Sequence, residues 1–236
     1  MLHSESGYTD QLLWTCLVLL VVIIIWINLA VIYYFARVAH LSLRRKRNKK
    51  SEIFKDKKKR IINVDEVASF VTSFATALSR LSSNKVGALF VFENKDNLEK
   101  YVQLGNKVDS PFFAEFVYSI FYNHESALHD GAMIIRNLRI ASLSSYLPVS
   151  KRLLPVKYGA RHRAAFGIAE RTDALAFVVS NTTGSISFMK GPDHITLSSD
   201  SIQLANQLTD ILFDNYHPLA NAKSPMVVQK IKERLN

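Results

Sequence analysis

The chain has 236 residues, 30 Lys and Arg against 20 Asp and Glu, and a single cysteine. One cysteine excludes a disulfide framework or a thiolate metal centre within the chain, and the length suits one sizeable domain with appendages. The net charge of +10 is local: residues 37–60 carry twelve Lys or Arg against Glu52 and Asp56, and the rest is neutral on balance, which argues against a basic nucleic-acid-binding face on the folded domain.

A short N-terminus, residues 1–10, precedes "QLLWTCLVLLVVIIIWINLAVIYYFA", residues 11–36, which contains no charge. About 20 apolar residues suffice to cross a bilayer, so this run predicts one transmembrane helix. A cleaved signal peptide is excluded by the missing basic n-region, the length of the run and the lack of a small-residue cleavage site. Trp14 near one end and Tyr33 and Tyr34 near the other fit interfacial positions, with Trp26 in the middle and Cys16 as a small apolar residue of the span. Arg37 and "LRRKRNKK" at 43–50 predict that the linker 37–60 is cytoplasmic, close to anionic lipid, with residues 1–10 outside.

From residue 61 the periodicity becomes that of a globular domain, expected to reach residue 217. Val64, Val67, Phe70, Val71, Phe74, Leu78 and Leu81 recur at helical spacing after a capping Asn63. "VGALFVF" (86–92) reads as a buried strand, and "FFAEFVYSIFYN" (112–123) as a helix started by Pro111. "AMIIR" and "RIASLS" read as strands joined at Asn137-Leu138, with a helix around Arg161–Arg171. "ALAFVVS" (174–180) and "SISFM" (185–189) form a hairpin, and residues 199–216 an amphipathic helix. The tail 218–236, with Pro218 and Pro225, is expected to pack weakly. Helices mixed with hairpin-linked strands predict an α/β sheet that is not purely parallel.

Two stretches carry chemistry. In "SALHDGAMII" the pair Asp130-Gly131 opens a strand, and by itself reads as a turn more readily than as a site. His129 alters that reading, because a carboxylate beside an imidazole can hold a divalent cation. A metal-dependent phosphohydrolase with an His-Asp pair is disfavoured, since such pairs sit on helices. In "GARHRAAFGIAE" (159–170), Arg161 and Arg163 can face one ligand only if they lie in the first helical turn or the loop before it. There the guanidinium groups and free N–H groups suit phosphate oxygens. Neither G-x-G-x-x-G nor G-x-x-x-x-G-K-[ST] occurs.

"LHDGAMII" and "GARHRAAFGIAE" together resemble the DGA and RHR motifs of the diadenylate cyclase (DAC) domain. "VGALFVFENKDNLEKYVQLG", "SSYLPVS" and "DALAFVVSNTTGSIS" follow in the family's order, over roughly residues 64–216. One predicted span before this domain resembles the single-span membrane form known from mycoplasmas. The resemblance implies a mixed-sheet DAC domain flanked by helices, joining two ATP molecules into cyclic di-AMP in a two-fold homodimer or higher homo-oligomer, with a divalent metal ion (Mg, Mn or Co). It implies that Asp130 binds metal or takes the 3′-hydroxyl proton, with His129 as a further metal ligand. Gly131 and Ala132 then give room for ribose and phosphate, so that the glycine reads as space for substrate. Arg161, His162 and Arg163 hold phosphates, Tyr146 and Leu147 line the adenine pocket, and Ser180 lies near the triphosphate. Ala160 stands where the family usually has threonine, and Asn181 where it usually has glutamate. The alternative these departures raise is a nucleotide-binding sensor of the same fold with weakened catalysis.

Overall fold

The computed structural model describes residues 19–20, 24–26, 28–31, 33–34, 64–222, 228–229 and 231–233. The chain divides into two compact units, Met1–Ile61 and Ile62–Asn236. In the first, the described residues between 19 and 34 are helical, and their large apolar side chains, Trp26 and Leu29 among them, are exposed. No helix among the described residues is long and apolar enough to cross a membrane. The rest of the expected span 11–36, the N-terminus 1–10, the basic linker 37–60 and the Asn63 cap lie outside the described residues.

In the second unit the order is α1 (Val64–Ser83), β1 (Ala88–Phe92), α2 (Glu99–Val102), β2 (Asn106–Pro111), α3 (Ala114–Tyr122), a 3-10 turn (Ala127–His129), β3 (Ala132–Arg136) and β4 (Arg139–Ser145). Then come α4 (Ala160–Ala169), β5 (Leu175–Val179), β6 (Ile186–Lys190), β7 (Asp193–Leu197), α5 (Ser201–Asn215) and a 3-10 segment (His217–Ala222). The strands form one sheet in the order β2-β4-β3-β1-β5-β6-β7. Only the β1–β3 pair is parallel.

Every residue of β1 and β5 is buried, because helices cover both faces of the sheet and the strands have no solvent side. Alternation along β1 sends Ala88, Phe90 and Phe92 into one core and Leu89 and Val91 into the other. The first core is closed by α1, α3 and α5, the second by α2 and α4. Phe74 of α1 is the hub of the first, fully buried with its ring 5.2–5.8 Å from those of Phe70, Phe90, Phe92, Phe112 and Phe177.

Three elements carry too little apolar pattern to be read in the sequence. β2 and β7 are edge strands that remain largely exposed, and α2 is a single turn. Pro111 closes β2 rather than starting the helix, which begins at Ala114. The tail packs, contrary to expectation. Leu219 and Ile231 are fully buried in the first core with Val228 against it, since residues three apart share one helical face, and Lys232 pairs with Asp210 at 2.7 Å.

Replacing Phe74 by Ala should lower unfolding free energy by about 3–5 kcal/mol, read as a shifted denaturant midpoint with unchanged slope.

Candidate active site

Strand direction assembles the site. β1 and β3 are parallel and begin at the same end of the sheet, while β4 and β5, antiparallel to them, finish there. The segments beyond these strand ends are Gly87, His129–Gly131, Tyr146–Leu147 and Ser180–Asn181. They come from four separate parts of the chain and meet at one sheet end.

Helix α4 supplies the cationic side. Its N-cap is Gly159 in an extended conformation without a side-chain cap, so Arg161 and Arg163 both fall in the first turn, where the sequence required them. A Cβ on Gly167 would run into the Pro148 carbonyl; without one, the helix lies directly on the loop after β4, and Ser150 N–H donates to the Arg163 carbonyl at 2.9 Å.

The consecutive side chains of this turn take different partners. Arg161 Nη2 donates to the His129 carbonyl at 3.1 Å, and its Nε is buried with no partner. Burial lowers its pKa and the nearby Asp130 charge opposes that, so it stays a cation with donors to spare. Arg163 Nε donates instead to the Tyr158 carbonyl, at 3.2 Å. His162 is buried, its ring 5.2 Å from that of Tyr158, which also touches Phe166 and His194 at 5.7 and 5.6 Å. Burial, with a smaller contribution from His194, holds the His162 pKa down at about 4.

The acidic side begins at the 3-10 turn. Asp130 is exposed, and its Oδ1 accepts from Gly131 N–H at 2.9 Å. Gly131 has φ +82°, and a Cβ there would lie 2.9–3.1 Å from the β4 backbone at Ser144 and Ser145. Backbone conformation and close packing against β4 by themselves call for a glycine here. Ala132 is buried in the second core. His129 Nδ1 lies 2.6 Å from the Ser126 carbonyl and must donate to it, leaving Nε2 with a lone pair; its ring is 5.3 Å from that of His124.

Among the described residues no group of three or more His, Cys, Asp or Glu could hold a metal ion. The exposed carboxylate of Asp130 is the kind of ligand that an ion such as Mg²⁺ takes, since such an ion keeps several waters and uses one or two carboxylates plus substrate phosphates rather than a complete protein cage. Tyr146 is 67% exposed, whereas Leu147 packs partly on the second core. Ser180 is buried, and its Oγ accepts from the N–H groups of Thr182 and Thr183, both at 3.3 Å. It thereby fixes the turn that presents Asn181.

A concavity of about 530 Å³ opens at the other end of the sheet, lined by Asp96, Asp173, Arg171 and Lys190 among others. Several of its polar groups are already engaged: Asp96 and Asp173 each accept from the other's loop backbone, and Lys190 holds Asn215. It shares no residue with the Asp130–Arg161 end.

Sequence reasoning missed Gly87 and the packing partners Tyr158, Gly167 and His194. Gly167 lies within the quoted 159–170 stretch but is called for by helix packing, and the others lie outside the two stretches that carry chemistry.

Comparison with known proteins bears on the same segments. The family described as DAC, DisA bacterial checkpoint controller nucleotide-binding, matches residues 75–193, a stretch that includes Asp130, Arg161 and Ser180. The chain belongs to the diadenylate cyclase family. It is 46% identical over 144 residues to a diadenylate cyclase of Mycoplasma pneumoniae, covering 61% of this chain and 71% of the relative. The solved structure of DacA from Staphylococcus aureus aligns with TM-score 0.57 and 33% identity, over 63% of this chain and 95% of that one. A hypothetical membrane spanning protein from Bacillus cereus aligns with TM-score 0.51 and 39% identity, over 53% and 62%. The mixed α/β sheet expected of the family is the sheet observed.

His162 makes stability depend on pH. Its folded pKa of about 4 lies below the ordinary histidine value of 6.5, so between these values the unfolded chain binds a proton that the folded chain refuses. This contribution is complete above pH 6.5 and is lost as pH falls toward 4. His162→Gln should flatten the stability profile in that window, measured by denaturant titration at stepped pH.

Proposed function

We propose that the chain condenses two ATP molecules into cyclic di-AMP and releases two diphosphates. The observation that supports this most is the meeting of an exposed carboxylate, Asp130, with the partly buried guanidinium of Arg161, which is tied to the backbone just before that carboxylate. A proton acceptor and a phosphate-binding cation stand side by side.

In each half-reaction the 3′-hydroxyl of one ATP attacks the α-phosphorus of the other. The new O3′–P bond forms as the bond to the bridging oxygen of the leaving diphosphate breaks, and the hydroxyl proton passes to Asp130. Arg161 offsets the charge on the α-phosphate, and its unpaired Nε and remaining N–H groups are available for that. Arg163 and His162 hold the first turn of α4, and with it the helix N–H groups, against the phosphates. The backbone at Gly131 and Ala132 approaches the ribose, Tyr146 and Leu147 flank the adenine, and Ser180 borders the triphosphate through its turn. Asp130 and His129 would hold a divalent ion (Mg²⁺, Mn²⁺ or Co²⁺), which would offset charge between two polyanions and lower the pKa of the attacking hydroxyl.

The product is two-fold symmetric, so the simplest catalyst is a two-fold dimer that brings identical sites face to face and gains most of its rate from positioning. Val149, Leu153 and Val156, exposed on the loop between β4 and α4, are surfaces such an assembly would cover. The first unit is read as a membrane anchor: the uncharged run 11–36, the basic linker 37–60 and the exposed apolar helical residues between 19 and 34 support a single span with the catalytic domain, residues 61–217, on the cytoplasmic side.

The test is to incubate the purified full-length chain with ATP and each ion and measure cyclic di-AMP. Asp130→Asn should reduce turnover by about 10²–10⁴-fold and leave ATP binding measurable. Normal turnover in that variant would show that Asp130 has another role, and ATP binding without product in the native chain would favour the sensor reading raised by Ala160 and Asn181.

A further inference from the structure

Gly87 lies in the α1–β1 connection, one residue before β1. It is buried, and it is not among the glycines with positive φ, so its backbone does not demand glycine. Space does. A Cβ placed on it would stand 3.0 Å from Nη1 of Arg161, 3.6 Å from its Cζ and 3.1 Å from Cβ of Asn181. The bare Cα of Gly87 is therefore the floor on which the Arg161 guanidinium rests.

The walls of this slot are rigid. On the Gly87 side, Val86 N–H donates to the Leu81 carbonyl at 2.8 Å, and β1 begins at once in the middle of the sheet. Opposite, the His129 carbonyl accepts from Arg161 Nη2. Laterally, Asn181 sits on the turn pinned by Ser180 Oγ. The guanidinium has one protein acceptor and is otherwise placed by shape, with its Nε buried and unpartnered. A methyl group on residue 87 would push Nη1 away from the slot, and the single bond to His129 cannot hold the group against it.

We infer that Gly87 is a positioning residue for the reaction: the missing side chain aims Arg161 at the substrate phosphate. This rests on the reading of Arg161 as the phosphate-binding cation. The neighbouring atoms must give by a few tenths of an ångström, a fraction of the 1 Å misplacement that costs roughly 10²-fold in reactions driven by positioning.

The experiment is a double-mutant cycle on the full-length chain with Gly87→Ala, Arg161→Ala and the double variant. It measures affinity for a non-reacting ATP analogue, cyclic di-AMP formation and thermal unfolding. Gly87→Ala should weaken nucleotide affinity and lower kcat/KM by about 3–10-fold. In the Arg161→Ala background the same change should have no further effect on affinity, because the group it displaces is gone. If Gly87→Ala itself unfolds the chain, stability should recover in the double variant, which removes the clash. Equal losses with and without Arg161, or native-like values in Gly87→Ala, overturn the inference alone. A native chain that binds nucleotide but makes no product overturns the catalytic reading, while the affinity cycle still decides the role of Gly87. A native chain that binds no nucleotide overturns both.

Discussion

Strands β1, β3 and β5 have apolar side chains on both faces and can be buried only as the middle of a sheet with helices on each side. That requirement makes β1 and β3 parallel neighbours and places β5 antiparallel beside β1. As a result two strand beginnings and two strand ends lie at one edge, and the loops that leave them bring Asp130, Asn181, Tyr146 and Gly87 together. Chemistry at this edge therefore depends on residues whose own role is only to be buried. Phe74 joins the rings of Phe90, Phe92 and Phe177, and so fixes how the two central strands β1 and β5 lie.

The site sets flexible charge against rigid backbone. Asp130 is exposed on an extended residue beyond a short turn, whereas Arg161 is partly buried and desolvated. A desolvated cation interacts more strongly with an incoming anion than a solvated one does, and it has less solvent to shed first. The opposite end of the sheet shows the contrast: charged groups are numerous there too, but Asp96, Asp173 and Lys190 are already engaged by neighbouring backbone and side-chain groups, which leaves them less free to recognise a ligand.

Much of this was legible in the sequence, for identifiable reasons. β1, β3, β4, β5, β6, α1 and α5 announce themselves because their side chains serve a core with a fixed period. β2 and β7 were hidden because an edge strand is held by backbone bonds, which leave no trace in side-chain pattern. The tail was misread because Leu219 and Ile231 are isolated anchors between prolines and polar residues. At the site, residue type located Asp130 and the arginines, but spacing could not say that Arg161 and Arg163 are held by different carbonyls or that His162 is stacked on Tyr158. Gly131 shows a second kind of limit. Its glycine is required by a positive φ against the β4 backbone, a fact of tertiary register invisible in a dipeptide.

The turn after β5 has a consequence of its own. Ser180 organises residues 181–183 from within, through its own hydroxyl and main-chain bonds, and the side chain of Asn181 adds only a long contact, its Oδ1 accepting from the Thr182 hydroxyl at 3.4 Å. Position 181 can thus change with little cost to folding, while remaining at the sheet end that carries Asp130 and Arg161. A lineage can alter the side chain presented there by one-codon steps, with the scaffold nearly indifferent to the outcome.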